Sequence, residues 1–246
     1  MSLTIDAKSV YYKDLNNSIR EAFKNGESSI VLRNICGQRY IGDGIRGNQH
    51  ITIHGTPGND MSAFMDGPEI IVHGNAQDAI ANTMNSGRLI IHGNTGDTAG
   101  YAMRGGEIFI KENAGYRVGI HMKEYMDKKP AIIIGGKAGD FFGEYMAGGI
   151  MILLGLNLQD HEEIVGNYCG TGMHGGVIYL RGEIDSYKLG KEVKIAPAGD
   201  DDISIIKKYV KNFCKYFAFD YDYVMNKKFI KLYPFNTRPY GNLYAY

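Results

Sequence analysis

An internal repeat between Ile51 and Gly182 limits this chain's fold more than any other feature. Met65, Met84, Met103 and Met122 stand nineteen residues apart, and Met146 and Met173 extend the column after spacings of 24 and 27. Three residues before each methionine lies a small residue: Ser62, Ala81, Gly100, Gly119, Gly143 and Gly170. A second column reads Ile53, Val72, Ile91, Ile110, Ile134, Leu153 and Leu180, and a third reads Gly55, Gly74, Gly93, Glu112, Gly136, Gly155 and Gly182. Three columns that hold one register through two insertions define a unit of about nineteen residues stacked on copies of itself.

The unit carries one strand. Its apolar runs are short and β-branched: Ile51-Thr52-Ile53, Ile70-Ile71-Val72, Leu89-Ile90-Ile91, Ile108-Phe109-Ile110 and Ile132-Ile133-Ile134. Glycines bound them, which is strand punctuation; a helical repeat needs apolar residues three and four apart and a longer unit. One strand recurring at the same place in each unit stacks parallel to its neighbours, and the return connection of a parallel pair is right-handed. The fold class predicted is therefore all-β: a right-handed parallel β-helix of about seven coils, rising roughly 4.8 Å per coil. The left-handed hexapeptide helix requires an aliphatic residue every six positions, and that pattern is missing.

Alternation along each strand separates inside from outside. The Ile53 column points inward, and the methionine column belongs with it, since methionine is soft enough to fill a narrow bore. The small-residue column marks a corner, where a side chain would collide or φ must be positive. The outward positions are Thr52, Ile71, Ile90, Phe109, Ile133, Ile152 and Tyr179. An apolar stripe of that length needs a cover. The helix expected at Asp202–Phe217, with Ile203, Ile206, Val210, Phe213 and Phe217 on one face, is the favoured cover; a partner subunit or second copy is the other.

The chain divides into three parts. Residues 1–50 form an N-terminal cap and first irregular coil, with a short amphipathic helix from Asp14 to Gly26 and a strand at Ser28–Leu32. Its glycine-rich run Gln38–Gly47 lacks the Gly-Lys-Ser/Thr of a phosphate loop. Residues 51–182 are the β-helix. Residues 183–246 carry the C-terminal helix and an aromatic-rich tail that includes Phe219, Phe229, Tyr240, Tyr244 and Tyr246, too aromatic for a disordered linker. The insertions fall within Lys123–Ala131 and Leu156–Cys169, and in solenoids such insertions become loops on one face.

Lys plus Arg and Asp plus Glu both number 27, which disfavours nucleic acid and polybasic membrane contact. Cys36, Cys169 and Cys214 are widely separated, as expected of a reducing compartment, and the chain is assigned to the cytoplasm. No Gly-x-Ser-x-Gly, His-Glu-x-x-His or Walker motif occurs. Two sets of residues carry metal-binding chemistry. His54, His73 and His92 lie one coil apart, so the outer two are about 10 Å apart. A straight ladder cannot easily bring three nitrogens to roughly 2.0–2.1 Å from one zinc ion. His161, Glu162 and Glu163 sit together in the second insertion, where a solvated loop is the commoner reading. No catalytic, cofactor-binding or metal residue is assigned.

The run Gly139-Asp-Phe-Phe-Gly-Glu-Tyr-Met-Ala-Gly-Gly-Ile-Met-Ile-Leu-Leu-Gly155 resembles the repeat at the C-terminal end of the glutamate synthase large subunit. Asn167-Tyr-Cys-Gly-Thr-Gly-Met-His-Gly-Gly176 resembles the coil that follows it there. This is the GXGXG domain, also similar to one of the subunits of formylmethanofuran dehydrogenase. The likeness covers roughly residues 30–182, and the run Arg238–Tyr244 suggests the stand-alone form. The resemblance implies a right-handed parallel β-helix without catalytic residues. FMN and an iron–sulfur cluster are expected on a partner subunit, and the partners are glutaminase-type and FMN-dependent synthase-type subunits, with homo-oligomerisation open. Against the whole enzyme, this chain has no N-terminal cysteine nucleophile and no cluster motif. A formylmethanofuran-dehydrogenase-like scaffold and a metal-dependent enzyme built on the histidine column are the alternatives.

Overall fold

A computed structural model describes residues 2–159 and 161–236. Nine strands run parallel in chain order: β1 (Leu3–Asp6), β2 (Ser29–Cys36), β3 (His50–Thr56), β4 (Asp66–His73), β5 (Ser86–Ile91), β6 (Glu107–Ile110), β7 (Ala131–Ile134), β8 (Ala147–Leu153) and β9 (Gly175–Arg181). The register follows the sequence columns. Ile51 pairs with Ile70, Ile70 with Leu89, Leu89 with Ile108, Ile108 with Ile132, Ile132 with Met151 and Met151 with Ile178. The protein is a parallel β-helix. β3 to β9 bound six turns, one fewer than the expected seven coils, because β9 is not followed by another parallel strand. There β11 (Phe229–Pro234) pairs antiparallel with β9, and β10 (Val193–Pro197) pairs antiparallel with β11. At the other end β2 joins the ladder in the same register, Leu32 opposite Ile53, with a bulge before Ile35.

The bore is apolar throughout. Met65, Met84, Met103, Met122, Met146 and Met173 are all fully buried beside the Ile53 column. The backbone opposite the strands is unusual. In each coil three alternate residues have φ near +60°, such as Asp60, Ser62 and Phe64, or Arg117, Gly119 and His121. The middle member of each trio is the small-residue column. It faces inward, against the strands: a methyl group added at Gly100 would lie 2.5 Å from Ile132 Cδ1, and one at Gly143 would lie 2.7 Å from Ile178 Cδ1. Both reasons for a small residue therefore hold at once. Two alanine substitutions separate them. Gly44→Ala meets only the left-handed backbone, with nothing within 4 Å of the new methyl group, and should cost about 1 kcal/mol. Gly100→Ala adds the collision with Ile132 and should cost about 2–4 kcal/mol. Equal losses in chemical denaturation would mean that steric room inside the bore is not what selects glycine there.

Short polar side chains tie the coils together at one corner. Asn75 Oδ1 accepts from the Asn94 amide at 2.9 Å, Asn94 Oδ1 from the Asn113 amide at 3.0 Å, and Asn113 Oδ1 from the Lys137 amide at 2.9 Å. Asp78 and Asp97 do the same for the Asp97 and Tyr116 amides. These corner amides would otherwise face outward without an intercoil partner.

Two helices close the structure. α1 (Tyr12–Lys24) buries Leu15, Ile19 and Ala22 on the core and ends at Asn25, before Gly26 at φ +96°. α2 (Asp200–Phe217) runs along the solenoid across the outer strand face, from β9 at its start to β5 at its end. Asp202 in its first turn accepts from Tyr179 Oη at 2.7 Å, Lys231 Nζ at 2.8 Å and the Gly199 amide at 3.1 Å. Ile206, Val210, Phe213 and Phe217 pack on Ile90, Phe109, Ile133, Ile152 and Tyr179, and these five strand residues are at most 1% exposed. The chain's own helix is thus the cover for most of the apolar stripe. It starts two residues before the expected Asp202. A short α3 (Tyr221–Met225) follows. Phe219 and Phe229 join this second core, whereas Tyr240, Tyr244, Tyr246 and the run Arg238–Tyr244 lie outside the described residues.

Candidate functional site

The register places His54, His73 and His92 on β3, on β4 and just after β5, all pointing away from the bore. Their rings stack face to face. Centroids are 4.9 Å apart between His54 and His73 and 4.8 Å apart between His73 and His92, with ring planes within 15° and 28°. Phe217 at the end of α2 meets His92 edge-on at 5.2 Å. Face-to-face stacking points each ring's nitrogens sideways, not at a shared centre. Among the described residues no three His, Cys, Asp or Glu side chains are arranged to hold a metal ion. Arg33 precedes the row and Lys111 follows it. The pKa values of His54 and His92 lie below the usual imidazole value. In each, burial is the larger cause, followed by the neighbouring His73 and then Arg33 for His54 or Lys111 for His92.

On the opposite margin of the same face lies a row of mixed charge. His50 stands 3.6 Å from Glu69, and Arg88 bridges Glu69 at 3.3 Å and Glu107 at 2.8 Å. Tyr216 of α2 lies over Arg88, 5.8 Å from ring centroid to guanidinium carbon. These pairs are partly exposed and contribute about 0–1 kcal/mol each.

The second sequence candidate is taken apart by its neighbours. Glu162 accepts from Lys137 Nζ at 2.5 Å and from the Gln159 amide at 3.2 Å. Glu163 pairs with the nearly buried Lys188 and accepts from Tyr187 Oη at 3.3 Å. Hydrogen bonds to these lysines hold both carboxyls below the usual carboxylate range. They pin the insertion to the wall of the solenoid. The two insertions do not share a face: the first precedes β7 and the second follows β8, so they leave from opposite ends of the strands. The glycine-rich run Gln38–Gly47 is a left-handed corner of the first coil, with Ser62 donating to the Ile41 carbonyl and Gly44 to the Ala63 carbonyl.

Sequence reasoning did not anticipate the outward members of the left-handed trios. Phe141 stacks on Tyr168 at 5.0 Å, His121 on Tyr145 at 5.3 Å, and Arg117 lies 4.5 Å from the Phe141 ring. Their spacing follows that of the methionine column, but their chemical variety hides it.

Two of the three thiols are buried. Burial pushes Cys169 up to about 12 and Cys214 up to about 11, while Cys36 is exposed. Among the described residues no helix is long and apolar enough to cross a membrane.

A solenoid with glycine-rich left-handed corners defines a class of β-helical domain. The GXGXG motif family matches residues 6–235. An uncharacterized protein of Methanocaldococcus jannaschii is 48% identical over 251 residues, covering 99% of this chain and 96% of that one. The chain belongs to the GXGXG motif family, as the runs at 139–155 and 167–176 indicated.

Proposed function

We propose that this chain is a non-catalytic structural subunit of a glutamate-synthase-type complex, holding separate glutaminase-type and FMN-dependent synthase-type subunits in position in the cytoplasm. The observation that carries the reading is the family match over nearly the whole solenoid. Two further features support it. The coils pair in one continuous register and α2 straps the outer face from β9 to β5, a continuity that suits a scaffold between two reacting centres. Several groups with reactive potential are occupied structurally: Cys169 and Cys214 are buried, His54, His73 and His92 are stacked on one another, and Glu162 and Glu163 are bound by lysines. In this reading the FMN and iron–sulfur cluster belong to a partner.

Purification of the native, untagged chain from its source tests the proposal. A glutaminase-type chain and a flavin-bearing chain should co-purify with it, and the homogeneous chain alone should leave glutamine intact. Glutamine hydrolysis by the isolated chain, abolished by one substitution in it, would overturn the scaffold role.

A further inference from the structure

The apolar row on the outer strand face is longer than the helix that covers it. Beyond the polar Thr4 of β1 it runs from Val31 on β2 across the polar Thr52 to Ile71, Ile90 and onward. α2 stops at Phe217, where Ala218 turns into the left-handed region with φ 56°. Ile90 is buried beneath it, Ile71 packs against the same cluster but is only partly buried, and Val31 and Thr52 stay half-buried. The uncovered floor on β2, β3 and β4 is therefore continuous with an interface the chain already makes with a helix. Tyr216 and Phe217 stand at its end as a wall.

The two margins of this floor differ. One carries His50, Glu69 and Arg88, whose charges offset one another. The other carries Arg33, His54, His73, His92 and Lys111. The charged neighbours that act on His54 are His73 and Arg33, and those on His92 are His73 and Lys111; none is a carboxylate. Lys8, from the loop after β1, lines the same hollow as Arg33 and His54. The element packed against His92 is the end of α2, and it contributes the uncharged Phe217. Asp6 on β1 stands opposite Arg33 in the ladder and beside Lys8 and offsets charge at that end, while the rest of the row, His54, His73, His92 and Lys111, carries no carboxylate.

We infer that the β2–β4 face seats a helix of a partner chain, placed in line with α2, apolar on one side and carrying carboxylates along the flank beside the histidine row. Three strands spaced about 4.8 Å apart accept roughly two helical turns, so the contact is short. A carboxylate brought against His54 favours its protonated form, so the complex binds more protons than its parts. Association then tightens as pH falls.

Two synthetic helical peptides test this on the full chain. Both carry apolar residues at i, i+3, i+4 and i+7; one has glutamates on the flank and the other lysines. In fluorescence anisotropy at low salt the glutamate peptide should bind, with affinity rising about tenfold from about pH 8 to 6, which corresponds to a mean uptake of roughly half a proton per complex formed. Ile71→Asp and, independently, Val31→Asp should remove the binding while circular dichroism stays that of the wild type, and His54→Ala should flatten the pH response. Equal binding of the lysine peptide overturns the inference, as does no binding of either at millimolar concentration. So does unchanged binding by a folded Ile71→Asp. Self-association of the wild-type chain that Ile71→Asp abolishes would place a second copy on this face instead. The probe contains no glutamate synthase chain, so the result stands apart from the scaffold proposal.

Discussion

Met103→Asp is expected to destabilise the protein by about 4 kcal/mol or more, enough to unfold a large fraction of it at room temperature. The side chain is fully buried in the bore, between the Met84 and Met122 coils, and the column around it offers only hydrocarbon and thioether. Loss of the methionine alone costs about 2–5 kcal/mol when the space cannot collapse. The strand ladder on one side and the intercoil hydrogen bonds of the left-handed corners on the other resist that collapse. The carboxyl group must also enter neutral and without a partner, at a further penalty. Met126→Asp is the control. Met126 is 85% exposed at the tip of the first insertion, with φ 56°, a conformation aspartate tolerates well. It should change stability by no more than about 0.5 kcal/mol. Denaturant midpoints for the two variants decide the matter. A Met103→Asp midpoint near wild type would mean that the bore admits water.

Loss of the α2 strap should be the second large effect. Deletion of residues 200–246 exposes Ile90, Phe109, Ile133 and Ile152 together, and the truncated protein should bind a hydrophobic dye and aggregate. The deletion also removes β11, which leaves β10 without its partner and bares the end of the sheet. The double variant Val210→Lys, Phe213→Lys isolates the helix, since both side chains are fully buried beneath α2 and neither touches the pairing of β11. It should also bind dye and lose several kcal/mol, about 3–5 for the Phe213 ring alone. A monomeric, dye-negative double variant would show that the strands do not depend on α2 for cover.

Much of this was legible because a solenoid writes its geometry into spacing. The methionine and Ile53 columns name the bore residue by residue, and the uneven outer row from Ile71 to Tyr179 announces that something lies over it. What stayed hidden depends on backbone torsion or on distant pairing. Thr83, Thr98, Phe141 and Tyr168 sit at positive φ, where sequence preference argues for glycine; only the hydrogen bonds from coils above and below hold them there. The antiparallel return of β11 onto β9 carries no repeat signal, so the end of the solenoid was not visible. At the candidate site the histidine column was plain in the sequence. Its ring stacking and the lysines that bind Glu162 and Glu163 required side-chain positions.

The strap has a consequence for how the chain reaches its native state. Almost every coil contact joins residues near nineteen apart, as in the Asn75 to Asn94 bridge. Such short-range topology lets rungs form quickly, each on the last. The contacts of Phe213 and Phe217 reach back to the coil of Ile90, across most of the solenoid's length, and α2 leaves the ribosome only after all nine parallel strands have been made. During synthesis the rungs therefore assemble with their outer face bare, and closure waits for the last helix. A nascent chain halted before residue 200 should be a strong client for chaperones that hold exposed apolar surface, and release past residue 217 should end that dependence.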